Sequence, residues 1–136
     1  MTDELTLILE IAPPVPFTCA NATGIEKGAI LKMTDPRTAS LADGDTDIVA
    51  GIAASEKIAS DGNTTVPIYR QGWFKVKASG NTTAGDALIT AASTGGTNQV
   101  ATAAVNSENI IGIALETATV GETFLMELKN VVMNLA

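Results

Sequence analysis

The feature that most restricts the fold of this chain is an internal repeat of three short motifs, which occur twice in the same order. The paired segments are KGAILKM (27–33) with AGDALIT (84–90), DIVAGIAAS (47–55) with NIIGIALET (109–117), and NTTVPIYRQG (63–72) with GETFLMELKN (121–130). The intervals between the copies are nearly constant, which predicts a duplicated unit over about residues 24–76 and 81–130. Each copy predicts a strand after a glycine turn, a long loop, a strand carrying Gly-Ile-Ala, a turn and a further strand. Two such halves can close on each other as a barrel, which removes exposed strand edges.

Turn-forming residues separate short runs rich in Val, Ile and Thr along the chain, a spacing typical of a sandwich or barrel. The predicted strands are Leu5–Ile11, Ala29–Met33, Ile48–Ala53, Thr65–Tyr69, Trp73–Val76, Ala87–Thr90, Ile110–Leu115 and Thr123–Leu128. Residues 54–60 and 101–109 could each form a short helix, but no long helical periodicity occurs. The predicted fold class is all-β, a small barrel or sandwich of two similar halves.

Two glycines, Gly51 and Gly112, interrupt otherwise strong strands at equivalent places in the two copies. Glycine weakens a strand unless a bulge, a bend or a close backbone approach requires it. We therefore expect both to be structural corner positions of the barrel.

Composition limits the classes of function. The 136 residues are enough for one domain with its own core, and aromatic residues make up only 4%, so that core must be largely aliphatic. The net charge of −7 disfavours binding to nucleic acid or to an anionic membrane, because both depend on Lys and Arg. The lone Cys19 cannot form a disulfide within the chain, and no apolar run is long enough to span a bilayer. The acidic start, MTDEL, does not resemble a secretion signal.

No catalytic or metal-binding pattern is visible, so the sequence predicts neither an enzyme nor a cofactor. The chain contains no histidine, which removes the commonest general base and metal ligand. Cys19 is best explained as a small buried hydrophobic residue. The segment DGDTD (43–47) begins like a calcium loop, yet Ile48 stands where glycine is needed and Ala54 where glutamate is needed. The carboxylates Glu108, Glu116 and Glu122 show no spacing that argues for an acid pair.

The sequence predicts an extended N-terminal arm, residues 1–16, followed by a barrel domain, residues 17–136. Its apolar positions alternate with the others, which predicts a strand with one strongly apolar face. The predicted interface residues of this arm are Leu5, Leu7, Leu9, Ile11, Pro13 and Pro14. The prolines predict a stiff, extended spacer between the strand and the barrel. Such a strand can fold back on its own barrel or pair with the edge of another subunit.

Trp73 and Phe74 form the one concentration of aromatic residues. Neighbours in a strand point to opposite faces, so one of the two is expected in the core and the other outward or in a subunit interface.

The segments FTCANATGIEKGAILKM, DIVAGIAAS, NTTAGDALIT and IIGIALETATVGETFLMEL resemble the capsid decoration (cement) proteins of tailed bacteriophages, over about residues 17 to 130. The resemblance implies a barrel on the outer surface of an icosahedral capsid, commonly as a homotrimer at three-fold positions, with the major capsid protein as partner. It also implies synthesis in the host cytoplasm and an N-terminal arm that reaches a neighbouring subunit. The chain departs from some relatives in length and in turn composition.

Three hypotheses follow from the sequence. The first is a structural cement protein that binds and stabilises a phage capsid, with no nucleic-acid or membrane partner. The second is a ligand- or receptor-binding head domain of a phage fibre or tail. The third is a hydrolase, which the missing histidine disfavours.

Overall fold

The computed structural model describes residues 4–43, 48–91, 98–103 and 109–132. Within these residues the chain consists of strands and turns, with no helix. The eleven strands are β1 (Thr6–Glu10), β2 (Val15–Thr18), β3 (Ile30–Asp35), β4 (Thr38–Leu41), β5 (Val49–Ala53), β6 (Thr65–Tyr69), β7 (Gln71–Ala78), β8 (Ala87–Thr90), β9 (Gln99–Thr102), β10 (Asn109–Ala114) and β11 (Thr123–Val132). The predicted all-β class is confirmed.

The strands form two closed barrels that follow one another along the chain. The first has the order β2-β4-β3-β5-β6. The second has the order β7-β11-β10-β8-β9 and is closed by a pairing of β9 with β7, while β1 adds to β7 as a sixth strand of that sheet. Each strand of the first barrel has a counterpart with the same pairing in the second, including the single parallel contact, β2 with β4 and β7 with β9.

The predicted closure of the two halves on each other is replaced by separate closure of each half. The reason is the number of strands. Each half supplies five strands, which is enough to close a barrel alone, whereas the sequence analysis did not predict β2, β4 and β9. These three strands have four residues each, and β2 includes Pro16, which argues against a strand in a sequence reading. The two segments with helical potential also differ from expectation. Residues 54–60 form bends and a bridge, Thr102 ends a strand, and residues 104–108 lie outside the described range.

The turns at one end of each barrel are built alike. Ile25 and Lys57 form an isolated antiparallel bridge in the first barrel, and Thr82 and Ala118 form the corresponding bridge in the second. Each bridge is a reciprocal pair of backbone hydrogen bonds, of 2.7–2.8 Å in the first barrel and 2.9–3.0 Å in the second. The turn geometry therefore repeats along with the strand order.

Two apolar clusters fill the interior. The core of the first barrel combines Phe17, Leu31 and Ile68 with Cys19 and four alanines. The second cluster fills the other barrel with larger side chains and also takes in residues of the first barrel. Its members include Phe74, Phe124, Met126 and Leu128 of the second barrel and Ile30, Ala42, Val49 and Ile52 of the first. A buried hydrogen bond of 2.9 Å from the Ile30 backbone N–H to Asn98 Oδ1 also links the two barrels.

Gly51 and Gly112 lie where the backbones of neighbouring strands approach closely. A Cβ atom at Gly51 would overlap the carbonyl oxygen of Tyr69, and one at Gly112 would overlap that of Glu127. Gly51 also has a φ of 154°, which side-chain-bearing residues rarely adopt. Ladder irregularities lie beside both glycines, in the pairings of β3 with β5 and of β10 with β11.

Candidate protein interface

The N-terminal strand β1 lies against β7 of its own chain, and a bulge divides its apolar residues between two faces. Leu7 pairs with Phe74 and Leu9 pairs with Trp73, which are neighbours on β7, so Ile8 is the extra residue. Residues directly opposite each other in a sheet share a face. Since Phe74 points into the core and Trp73 points outward, Leu7 lies on the inner face and Leu9 on the outer face.

The first part of β1 is anchored in the molecule. Leu5 is buried in the cluster that spans both barrels, and Leu7 packs partly buried against the same cluster. The Leu5 backbone N–H donates a 2.9 Å hydrogen bond to the carbonyl of Gly28, in the first barrel. Leu5 is therefore a core residue of its own protomer and is not available to a partner. The candidate interface is limited to residues that lie after the bulge in β1.

The far end of β1 is held by a polar contact. The Tyr69 hydroxyl donates a hydrogen bond to the Glu10 carboxylate. Burial raises the pKa of Tyr69, and the nearby negative charge of Glu10 adds to the effect. The Tyr69 ring also meets Phe74 edge to face, with centroids 5.8 Å apart. Because Tyr69 ends the first barrel and Phe74 belongs to the second, β1 contacts both barrels.

The residues after the bulge expose a run of aliphatic side chains, which we call the N-terminal apolar surface. It comprises Ile8, Leu9, Ile11 and Val15, exposed to 51%, 46%, 48% and 39%. Pro13 is exposed and Pro14 is half-buried within the same stretch. Four exposed aliphatic residues thus fall within eight positions of the chain, and we treat them as the candidate surface for a protein contact.

The predicted aromatic pair behaves as the strand rule requires. Phe74 is buried in the core, and Trp73 is half-buried on the outer face opposite Leu9. Of the two, only Trp73 has surface to offer a partner.

The outer edge of β1 is the open edge of its sheet. Among the described residues β1 pairs with β7 alone and stands at the end of the strand order. It contains no lysine or proline, the residues that usually protect an edge, although its bulge provides some protection. The predicted proline spacer does not hold β1 away from the body. Residues 11–14 lead directly from β1 on the second barrel to β2 of the first, where Pro16 pairs with Pro67.

Cys19 and the acidic residues of the DGDTD segment were the first groups considered for chemistry. Cys19 is buried, and that burial raises the pKa of its thiol. Asp43 pairs with Lys32 at 2.7 Å, while Asp45 and Asp47 lie outside the described residues, as does Glu108. In the described part of the chain, no three His, Cys, Asp or Glu side chains are grouped as metal ligands. The same part contains no helix long and apolar enough to cross a membrane.

Glu116 and Glu122 have structural partners. Glu116 accepts a 2.8 Å hydrogen bond from the Leu125 backbone N–H and pairs with Lys75. Glu122 accepts hydrogen bonds from the backbone N–H and the hydroxyl of Thr119, at 2.7 and 2.8 Å. These hydrogen bonds hold the pKa of each carboxyl below its usual value.

The sequence analysis missed the residues that brace the turns. Asn21 and Asn81 each accept a backbone N–H from the turn facing them, and the Lys57 side chain is 1% exposed. Little in the sequence indicates this role. Both asparagines begin Asn-X-Thr motifs, which suggest glycosylation rather than bracing of a turn, and Lys57 lies in a segment with helical potential.

The comparisons with known proteins agree with this architecture. A family model described as phage cement protein matches residues 11–131. No curated protein matches the chain. Among solved structures, the chain is similar to the head fiber gp8.5 N base of bacteriophage phi29, with 18% identity and a TM-score of 0.56, over 89% of this chain and 98% of that one. At this identity the likeness concerns the fold. The family match covers most of the chain, so this chain belongs to the phage cement protein family, a family of structural phage proteins.

Proposed function

We propose that this protein binds the outside of an icosahedral phage capsid and stabilises it. The observation that supports this most directly is the family match over residues 11–131, together with the N-terminal apolar surface that the fold leaves exposed. The partner on this proposal is the major capsid protein, and the protein is part of the virion after synthesis in the host cytoplasm.

The proposed contact uses the residues after the bulge in β1. Leu9, Ile11 and Trp73 provide apolar area, and burial of apolar area favours association. The open edge of β1 offers backbone groups to a strand from a neighbouring subunit, so the arm pairs with β7 on one side and with the neighbour on the other. We further propose a homotrimer, which places several such contacts on one particle.

Stabilisation follows from binding to the closed shell alone. A ligand that binds one state of an equilibrium stabilises that state by mass action, and linked contacts add through avidity. The net charge of −7 keeps such a protein away from DNA.

The test compares Leu9→Asp with Ile48→Asp in sedimentation with capsid shells prepared without this protein. The two side chains are aliphatic and matched in exposure, at 46% and 47%, and the two substitutions add the same charge. We expect Leu9→Asp to weaken binding about tenfold or more and Ile48→Asp to leave it nearly unchanged. Point variants are preferable to deletion of the arm, because Leu5 belongs to the core.

Equal binding by both variants and the unmodified protein would contradict the proposed role of the N-terminal apolar surface. Failure of the unmodified protein to bind shells would contradict the capsid function itself. Urea unfolding of each variant, followed by Trp73 fluorescence, controls for loss of fold. Mass measurement of the free protein tests the trimer.

The second candidate is a ligand- or receptor-binding head domain of a fibre or tail. The fold's similarity to the base of a head fiber keeps this candidate open. A glycan array separates the two, because a specific sugar ligand without affinity for shells favours the second.

A further inference from the structure

The turn between β5 and β6 contains a chemically labile pair of residues, Asp61 followed by Gly62. In such a pair the backbone nitrogen of the glycine can attack the aspartate Cγ, which forms a five-membered succinimide and releases one water molecule. Glycine favours this attack because it has no side chain to obstruct it. Water then opens the ring at either of its two carbonyls, so the products are aspartate and isoaspartate. The pair is therefore a candidate site of spontaneous modification.

The fold requires the glycine of this pair. Gly62 has a φ of 86°, in the left-handed region that residues with a side chain rarely adopt. No described atom lies within 4 Å of the place that a Cβ would take, so the backbone conformation and not the available space selects glycine there. Residues 58–64 separate the bridge residue from the next strand in the first barrel, and residues 119–122 do so in the second. The longer turn, and with it the labile pair, belongs to the first barrel.

The attacking nitrogen is held by a hydrogen bond. The Gly62 backbone N–H donates to Asn21 Oδ1 at 2.7 Å. Asn21 is itself fixed, because its backbone carbonyl accepts from the Ser60 N–H and from the Lys57 Nζ, both at 2.7 Å. Ring closure needs the glycine nitrogen to give up its proton and turn toward the Asp61 Cγ. A peptide N–H that is directed at Asn21 can do neither until this hydrogen bond breaks.

The Asp61 carboxylate is held in the form that does not react. Its Oδ1 accepts a 2.8 Å hydrogen bond from the Asn63 backbone N–H and lies 3.4 Å from the Lys57 Nζ. Both contacts favour the ionised carboxyl, and the Asn63 hydrogen bond is the main cause of the lowered pKa of Asp61. Ring closure needs the neutral carboxyl, because its hydroxyl leaves as water. The Lys57 side chain is 1% exposed, so this cation is a fixed part of the turn.

The second barrel provides an internal comparison. There Ala118 stands at the bridge in place of the lysine, and Glu122 is followed directly by Thr123, the first residue of β11. Burying a charge costs free energy unless the charge is paired and hydrogen-bonded. The buried cation thus occurs in the turn that contains the labile pair, and alanine replaces it in the turn that does not.

We propose that Asp61 is a latent site of isoaspartate formation, which the contacts with Asn21 and Lys57 keep as aspartate while the turn is closed. Opening of the turn releases the Gly62 nitrogen and leaves the carboxyl free to take up a proton, and the rearrangement then follows. The product has one more carbon in the main chain between residues 61 and 62, so the Gly62 N–H no longer meets Asn21 and the opening becomes permanent. This inference goes beyond the proposed function, because it concerns the lifetime of the turn whether or not the protein binds a capsid.

The test measures isoaspartate at residue 61 by peptide mass spectrometry after incubation of the full-length protein at neutral pH. Asn21→Ala removes the acceptor of the Gly62 N–H, and we expect isoaspartate to form about fivefold faster, or more, than in the unmodified protein. Asn81→Ala is the matched control, because it removes the corresponding hydrogen bond from the Val120 N–H and should leave the rate at residue 61 unchanged. Equal acceleration in both variants, or acceleration in neither, overturns the inference.

A second measurement needs no variant. The unmodified protein is incubated in its native state and unfolded in guanidinium chloride, and we expect isoaspartate at residue 61 to form about tenfold faster, or more, in the unfolded chain. Trypsin cleaves after Lys57 and so separates this site from the other Asp-Gly pair, at residues 43–44. Similar rates in the two states, or no isoaspartate in the unfolded chain, overturn the inference. Urea unfolding followed by Trp73 fluorescence checks that both asparagine variants fold, and the comparison of the two states decides the question if Asn21→Ala does not.

Discussion

The two barrels share a strand order and a set of pairings. At the bridge position in their turns, however, one has a charged side chain and the other an apolar one. The first barrel buries the Lys57 ammonium where the second has the methyl group of Ala118. Around Ala118 the second barrel has a hydroxyl network in which Thr102 Oγ1 donates at 2.9 Å to Thr82. The comparison teaches that topology is specified by the glycines, turns and apolar pattern, while the interior chemistry can differ.

The barrels also differ in their first strands, and the proposed interface lies where they differ. β2 has four residues and β7 has eight. β7 uses Lys77 and Ala78 to close its barrel on β9, which leaves residues 72–75 free to pair with β1. In the short β2, Thr18 alone pairs with β4, and among the described residues no further strand pairs with residues 15–17 on that side. The N-terminal strand is therefore added to one barrel only, and the molecule is asymmetric despite its repeat.

The largest expected effect tests whether the two barrels depend equally on glycine. Gly51→Ala and Gly112→Ala each place a Cβ on a backbone carbonyl, which cannot move without breaking its strand, so each should destabilise the protein by about 3 kcal/mol or more. The control is Gly80→Ala, since nothing lies within 4 Å of its Cβ position. Urea unfolding followed by the fluorescence of Trp73, the single tryptophan, measures the changes. A mild effect at one glycine only would show that the barrels are not equivalent there.

The next effect sharpens the contrast between Lys57 and Ala118. Lys57→Met removes a buried cation and the donor to the Ile58 carbonyl, while the Asn21 carbonyl keeps its bond from the Ser60 N–H and Asp61 keeps its bond from the Asn63 N–H. We expect a loss of about 2 to 3 kcal/mol. Lys75→Met is the matched control, because Lys75 is 42% exposed in its pair with Glu116 and should change stability by less than about 1 kcal/mol. Equal, small losses in both variants would contradict a structural role for the buried ammonium.

A third experiment concerns the strand that only the second barrel carries. Leu5→Ala is expected to cost about 2 kcal/mol of stability, because Leu5 is buried in the cluster shared by both barrels. Leu9→Ala, on the other side of the bulge, should cost less than about 0.5 kcal/mol. The reverse order in urea midpoints would mean that β1 packs with its other face toward the core.

The smallest effect is the pH dependence of stability that one carboxylate of the second barrel, Glu122, contributes. The backbone N–H and hydroxyl of Thr119 lower the pKa of Glu122 from its ordinary 4.5, so its contribution to stability is present above that pH and is lost as the pH falls further. Glu122→Gln should be less stable than the unmodified protein near neutral pH, with the difference shrinking below about pH 4.5. Thermal unfolding at several pH values provides the measurement. A difference that stays constant down to about pH 2 would contradict the titration of Glu122.

Much of the fold could be predicted from the sequence. All eight predicted strands are present, with ends shifted by a few residues, since long runs of Val, Ile and Leu between turn residues indicate strands reliably. The three strands that were not predicted have four residues each. Such short strands form because neighbouring strands pair with them, and this pairing leaves no clear local pattern. For the candidate interface, the sequence analysis treated the alternating residues of the arm as one face, whereas the bulge in β1 divides them between two faces.

By itself the sequence determined the all-β class, the repeat and the absence of a catalytic pattern, because these depend on local residue type and spacing. Only the tertiary structure decided that each half closes alone, since closure depends on pairings between distant strands such as β7 and β9. It also decided which side of β1 faces solvent. A single extra residue, Ile8, reverses the face of everything after it, and no local pattern marks where such a bulge falls.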